Sequence, residues 1–172
     1  MNNFLAFHPL WKTYDETINI TGDVLTTLNG RQVTAYNQGF ITIVNPADYQ
    51  DIFASWHLEP KDCLPFIKFA FGQFIFFHDN SFKVLDPVNN FIEPIGEKDD
   101  FDYIMDNFLC DEDTLNEVFL KDMYLEVVDA LGAPAPDECY AFVAALALGG
   151  SRSKENVQKT KLKEQLMILA KL

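Results

Sequence analysis

Four runs rich in Phe and Ile follow one another in the middle of the chain: FIKFAFG, QFIFFHD, FKVLDP and FIEPI. Gly72, Asp79-Asn80 and Asn89-Asn90 stand at the breaks between them. Aromatic and β-branched side chains suit a pleated surface, and Asn and Asp tolerate the backbone of tight turns. The pattern predicts an antiparallel meander. The runs are nearly continuous in apolar residues, so at least one strand is covered on both faces. Other elements must therefore pack against the sheet.

Those elements are predicted on either side of the runs. FITIVN, after Gly39, reads as a further strand. Pro46 ends it and suits the first turn of a helix over residues 46–58, with Tyr49, Ile52, Phe53 and Trp56 on one face. DDFDYIMDNFL places Phe101, Ile104, Met105 and Phe108 on one stripe, and its acidic first turn favours the positive end of a helix dipole. A second helix is predicted over residues 112–131, capped by Asp111 or Asp113 and stopped by Gly132 and Pro134. YAFVAALALGG has a helix-like composition but is short and apolar, so it is read as a buried strand. The tail NVQKTKLKEQLMILAKL reads as a helix with Val157, Leu162, Leu166 and Leu169 near one face. Residues 18–33 mix Thr, Asn and Gly with apolar residues and stay open between helix and irregular structure. The fold class expected is α+β, an antiparallel meander packed with helices and a helical C-terminal part. The division expected is a β-rich region, residues 1–96, and a region of residues 97–172, packed together as one compact unit.

At 172 residues with 48% hydrophobic residues, the chain can bury a core without staples. Its three cysteines, Cys63, Cys110 and Cys139, form no C-x-x-C pair and argue for a reducing compartment. The N-terminus does not read as a secretory signal, and the longest apolar run is too short to span a bilayer. A cytoplasmic protein with no membrane partner is expected.

The formal net charge is -13. Such a surface repels nucleic acid and anionic membranes and attracts basic partners. It also simply keeps a protein soluble. The charge is uneven: residues 97–138 carry fourteen acids against Lys98 and Lys121, whereas residues 139–172 carry six bases against two acids. Two readings stay open. The basic tail lies against the acidic helices, or the acidic helices face a basic partner. On the second, Asp99, Asp100, Asp102, Asp106, Asp111, Glu112 and Asp113 form the binding face, with Tyr103 or Tyr124 as aromatic anchors.

No reaction is legible. His8, His57 and His78 have no metal-ligand spacing to one another or to cysteine. His78 beside Asp79 fits a hairpin-end hydrogen bond better than an acid–base pair, which needs a third group and a pocket. GGSRSK lacks the spacing of a phosphate loop and reads as a turn or a weak anion nest. DEDTLNE lacks the Gly and terminal Glu of a calcium loop. No catalytic residue, metal ligand or cofactor is expected, and the protein is not expected to be an enzyme. A small-ligand module would have to draw on His78, Asp79, Tyr140 and Arg152. PDECYAFVAALALGG reads as structural core: Asp137 as a helix cap, Glu138 beside it, Cys139 as a buried filler, Tyr140 anchoring through its hydroxyl, and Gly149-Gly150 closing the segment.

PAPDECYAFVAALALGG followed by ENVQKTKLKEQLMILAKL resembles the C-terminal domain of the type VI secretion DNase-immunity family. Ala141 and Ala144 stand where that family has Gly and Pro, and Lys163 and Gln165 where it has Arg and His. Upstream, YNQGFITIVNPADYQDIF, FAFGQFIFF and FKVLDPVNNFIEPI resemble the GAD-like domain that precedes it. The resemblance covers residues 36–172. It implies a cytoplasmic immunity protein that binds a cognate effector toxin, with a nuclease as the expected target. Nucleases carry basic phosphate-binding surfaces, which an acidic protein complements. An adaptor that loads an effector onto the secretion machinery is the alternative.

Overall fold

Seven strands form one antiparallel sheet in which each strand pairs with its neighbour in sequence. They are β1 (Leu10–Thr17), β2 (Gln32–Tyr36), β3 (Ile41–Ile43), β4 (Leu64–Phe69), β5 (Phe74–His78), β6 (Ser81–Asp86) and β7 (Phe91–Glu97). The computed structural model describes all 172 residues. The turns follow from their residues. His78 pairs with Ser81 across a two-residue turn in which Asp79 and Asn80 both take left-handed φ, 50° and 56°. Such turns match the twist of the strands they join. Asp86 is fully buried and closes the β6–β7 loop, accepting from the N–H groups of Val88 (2.9 Å) and Asn89 (3.2 Å) and from Asn89 Nδ2 (2.7 Å).

The central strands are covered on both faces, as their composition requires. On β5, Ile75 packs into the larger core, while Phe74 and Phe76 pack into a second, smaller one. On β6, Phe82 and Val84 join the larger core and Leu85 the smaller. The larger core is roofed by α1 (Asn2–Phe7), α2 (Phe101–Asp106), α3 (Glu112–Glu117) and α4 (Lys121–Leu131), which contribute Phe4, Ile104, Leu115 and Tyr124. Phe119 stacks on Phe69 of β4 with ring centroids 3.7 Å apart and 11° between planes. The smaller core is closed by Ile52 and Phe53, and by Leu162 and Leu166 of α5 (Leu162–Leu169). Gly72 sits where these parts meet. Its φ is +84°, and a Cβ there would stand 3.0 Å from Leu166 Cδ1. Only glycine meets both conditions without strain.

Several elements differ from the sequence reading. Residues 46–58 are not an α-helix but two 3-10 segments, Pro46–Asp48 and Gln50–Trp56. Tyr49 interrupts them with φ -128° and ψ 0°, and His57 ends them in the left-handed region. The segment is pinned by Tyr49, Ile52 and Phe53 against Phe74 and Phe76, and this packing overrides helix propensity. The helix expected over residues 112–131 is broken in two by Leu120, whose φ is 61°. The break lets Phe119 and Leu120 both turn inward. The tail is not helical from its start. Residues 157–161 form β9 (Val157–Lys161), paired antiparallel with β8 (Glu138–Phe142). The strand expected in YAFVAALALGG is real but ends at Phe142. Residues 18–31 are irregular, and β2 begins at Gln32. No helix is long and apolar enough to cross a membrane.

Candidate functional site

The eight residues expected to meet a partner lie along α2, α3 and their flanks, and the structure sorts them by how free they are. Asp100 accepts from the Glu97 N–H at 2.7 Å and so braces the turn before α2. Asp106 receives the Phe4 N–H at 3.1 Å and the Met1 amino group at 2.5 Å, which pins α1 onto α2. Asp111 caps α3 through the Thr114 N–H (2.8 Å) and hydroxyl (2.6 Å), which hold its carboxyl below its ordinary range. Glu112 takes Lys121 at 2.8 Å. These four are engaged within the fold. Asp99 and Asp113 are exposed and have no ion-pair partner, and Asp102 is exposed with only a 3.9 Å contact to the Met1 amino group. Tyr103 is 57% exposed beside them. Tyr124 is no surface anchor. Its ring is fully buried and its hydroxyl donates to the Gln38 carbonyl.

The basic tail does not cover this face. Lys163 of α5 pairs with Asp51 at 2.8 Å, Lys161 with Asp137 at 2.5 Å, and Lys159 with Glu138 at 3.7 Å. The tail neutralises the 3-10 segment and β8 instead of α2 and α3. Asp137 is therefore an ion-pair partner and not a helix cap by its side chain; its main-chain carbonyl accepts the Leu162 N–H at the start of α5. Cys139 is fully buried in the smaller core. The Tyr140 hydroxyl donates to the Gly132 carbonyl at 2.6 Å. Gly149 has φ +82°, and a Cβ on Gly150 would overlap the Ala144 carbonyl.

His78, Asp79, Tyr140 and Arg152 do not assemble a ligand site. His78 Nδ1 faces Lys83 Nζ, Tyr140 is bonded to Gly132, and Arg152 donates to Asn89.

A cleft of about 470 Å³ lies elsewhere, between the β1–β4 end of the sheet and the segment that leads through Pro136 and Asp137 to α5. Trp11, Tyr14 and Tyr49 supply aromatic surface there. Lys68 of β4 is 5% exposed, and its ammonium donates to the carbonyls of Ala135 (3.1 Å) and Pro136 (3.2 Å). Burial pushes it down to about 8, only partly opposed by nearby Cys139, Asp137 and Glu138. Tyr49 donates to the same Pro136 carbonyl at 2.9 Å. The carboxyls of Glu16 and Asp48 lie within hydrogen-bonding reach, and no lysine or arginine nitrogen stands within 4.0 Å of either. Partial burial and the neighbouring Glu16 carboxyl raise Asp48 to about 6, partly opposed by the charge of Lys163. The sequence held one signal for this site, Lys68 as the lone charge in FIKFAFG. Glu16 and Asp48 are too far apart in the chain to suggest one another.

The raised acid has a consequence for stability. Asp48 titrates higher in the fold than its ordinary 3.8, so the fold favours its neutral form. Its charge opposes folding above pH 6, and that opposition fades as pH falls through 6 toward 4. Asp48→Asn is therefore expected to raise the melting temperature at pH 8, by a few degrees at most because water screens the outer edge of the pair. The gain should shrink at pH 5.5. A loss at pH 8, or an equal gain at both, would contradict the pairing.

Residues 102–172 match the model of one protein family, described as T6SS immunity protein Tdi1, C-terminal. The match supports a type VI secretion immunity protein. It takes in α2, α3, α4, the β8–β9 pair and α5, so it holds Asp102, Tyr103 and Asp113 of the acidic face and the α5 wall of the cleft. The structure is also similar to the crystal structure of Atu4351 from Agrobacterium tumefaciens, with a TM-score of 0.67 and 16% sequence identity over 94% of this chain and 85% of that one. At that identity the likeness concerns the fold alone, and it extends to the sheet outside the immunity match. No curated protein matches the chain.

Proposed function

We propose that this protein binds a cognate type VI effector in the cytoplasm of the cell that makes it, and that the effector is a basic nuclease. On this reading, residues 1–96 are a GAD-like β-rich region that supports the immunity-type region, residues 97–172. The observation that carries it is the uncovered acidic face. Asp99, Asp102 and Asp113 keep their charges for a partner, and Tyr103 gives them an exposed aromatic anchor. A nuclease must present a cationic surface to hold phosphate, and that surface is the natural complement of these carboxylates. The protein acts by association and needs no cofactor for it.

Expression beside the cognate effector, sought first in the adjacent gene, tests the reading. Growth should be rescued, and the two proteins should co-purify. Deleting the immunity gene separates this role from that of a loading adaptor. Self-intoxication supports immunity, whereas lost secretion without toxicity supports an adaptor.

A further inference from the structure

We propose that the cleft receives a basic side chain, arginine above lysine, carried on an extended segment of the bound toxin, with Glu16 and Asp48 holding its cation and Lys68 donating to a main-chain carbonyl beside it. The inference rests on the toxin-binding reading and adds a second, concave contact to the acidic helical face.

The cleft is built for such a group. Its volume of about 470 Å³ takes one long side chain and a peptide unit. Glu16 and Asp48 stand together in the cleft, Glu16 accepting from Asn45 Nδ2 at 3.3 Å and Asp48 feeling Lys163 only at a distance, so neither has an ion pair, and a planar guanidinium can bridge two carboxylates with paired hydrogen bonds.

Lys68 supplies the independent requirement. Its ammonium has three N–H groups, and two carbonyls accept from it. No carboxylate lies within 4.0 Å of this 95% buried charge, so a further acceptor entering the cleft is favoured. That acceptor is a neutral carbonyl and not a free carboxylate. The cleft lining carries Glu16, Asp48, Asp137 and Glu164 against Lys68, Lys161 and Lys163, an acidic balance. A cation followed by an uncharged acceptor is what a basic residue within a peptide chain presents.

The test is a titration of the full-length, ¹⁵N-labelled chain with N-acetylated, C-amidated Gly-Arg-Gly, beside the same peptide with citrulline in place of arginine. Saturating shifts are expected at the Trp11 indole and the main-chain amides of Asn45 and Tyr49 with the arginine peptide, and none with citrulline. Glu16→Gln and Asp48→Asn should each weaken the peptide about tenfold. Asp48→Asn is expected to hold or raise the melting temperature, so its lost binding cannot be lost folding. Equal shifts from the two peptides would overturn the role of the carboxylate pair. Tighter binding of free arginine than of the capped peptide would overturn the carbonyl role given to Lys68 and point to a small-molecule site. With the effector itself, an approximately tenfold loss in Asp48→Asn supports the cleft as a contact, and unchanged affinity overturns it. If the effector fails to bind the native chain at all, the toxin-binding reading and the source named for the segment fall together. The peptide titration then decides by itself what the cleft holds.

Discussion

Phe119→Ala is expected to destabilise the fold by about 3–5 kcal/mol, the usual cost of emptying a buried aromatic site. Phe119 is fully buried, stacked 3.7 Å from Phe69 and edge-on to Phe108 at 6.2 Å. Its surroundings cannot easily collapse into the space. Leu120 beside it is held at φ 61°, and Gln73 Nε2 donates to the Val118 carbonyl at 3.3 Å. Domains of this size hold only about 5–15 kcal/mol in all, so the loss is a large share. The melting temperature should fall by roughly 6–20 °C. Phe119→Leu keeps most of the volume and should lose much less. A loss below about 1 kcal/mol in denaturant melts would mean that this stack does not fasten the helical layer to the sheet.

The second large effect falls on binding. Reversing Asp99, Asp102 and Asp113 to Lys together is expected to weaken effector binding by about 100-fold or more at low salt, chiefly through a slower encounter. The difference should shrink as salt rises and screens the exposed charges. The fold should survive, because none of the three makes a close hydrogen bond or ion pair. The cost is about 0.3–1 kcal/mol for each of the two lysines placed in a first turn, at 102 in α2 and 113 in α3, where the helix dipole favours acids. Asp111→Ala provides the contrast. It removes the cap of α3 and should lower the melting temperature while changing binding little. Loss of affinity in the capping variant, with none in the triple variant, would reverse the sorting of these residues into engaged and free.

Much of the sheet was legible because local chemistry and global packing agree there. Asp79-Asn80 supplies a turn that its flanking strands need, and the unbroken apolar runs of β4, β5 and β6 match their burial on two faces. The errors arise where a distant contact decides. Residues 46–58 have helical spacing, but Phe74 and Phe76 hold them in shorter turns. Residues 157–161 look like the start of a helix until β8 offers them a pairing edge. β1 leaves no signal in the sequence because most of its side chains are exposed, so it has no apolar rhythm. The acidic face was visible as composition, but the division of its residues was not. Asp106 and Asp113 are the same residue type in similar company, and only the approach of Met1 and Phe4 sets the first apart. The cleft was least legible, since Glu16, Asp48 and Lys68 come from separate strands and loops.

The most direct measurement pairs protection with affinity. Cells expressing the cognate effector would carry either the native chain or the Asp99/Asp102/Asp113 triple-lysine variant, and calorimetry would follow each purified chain against the effector's toxin domain. The native chain is expected to restore growth and to bind. The variant is expected to remain folded, to protect less well and to bind about 100-fold more weakly at low salt. Full protection and unchanged affinity in the variant would contradict the acidic face as the toxin contact, and absence of protection by the native chain would contradict neutralisation itself.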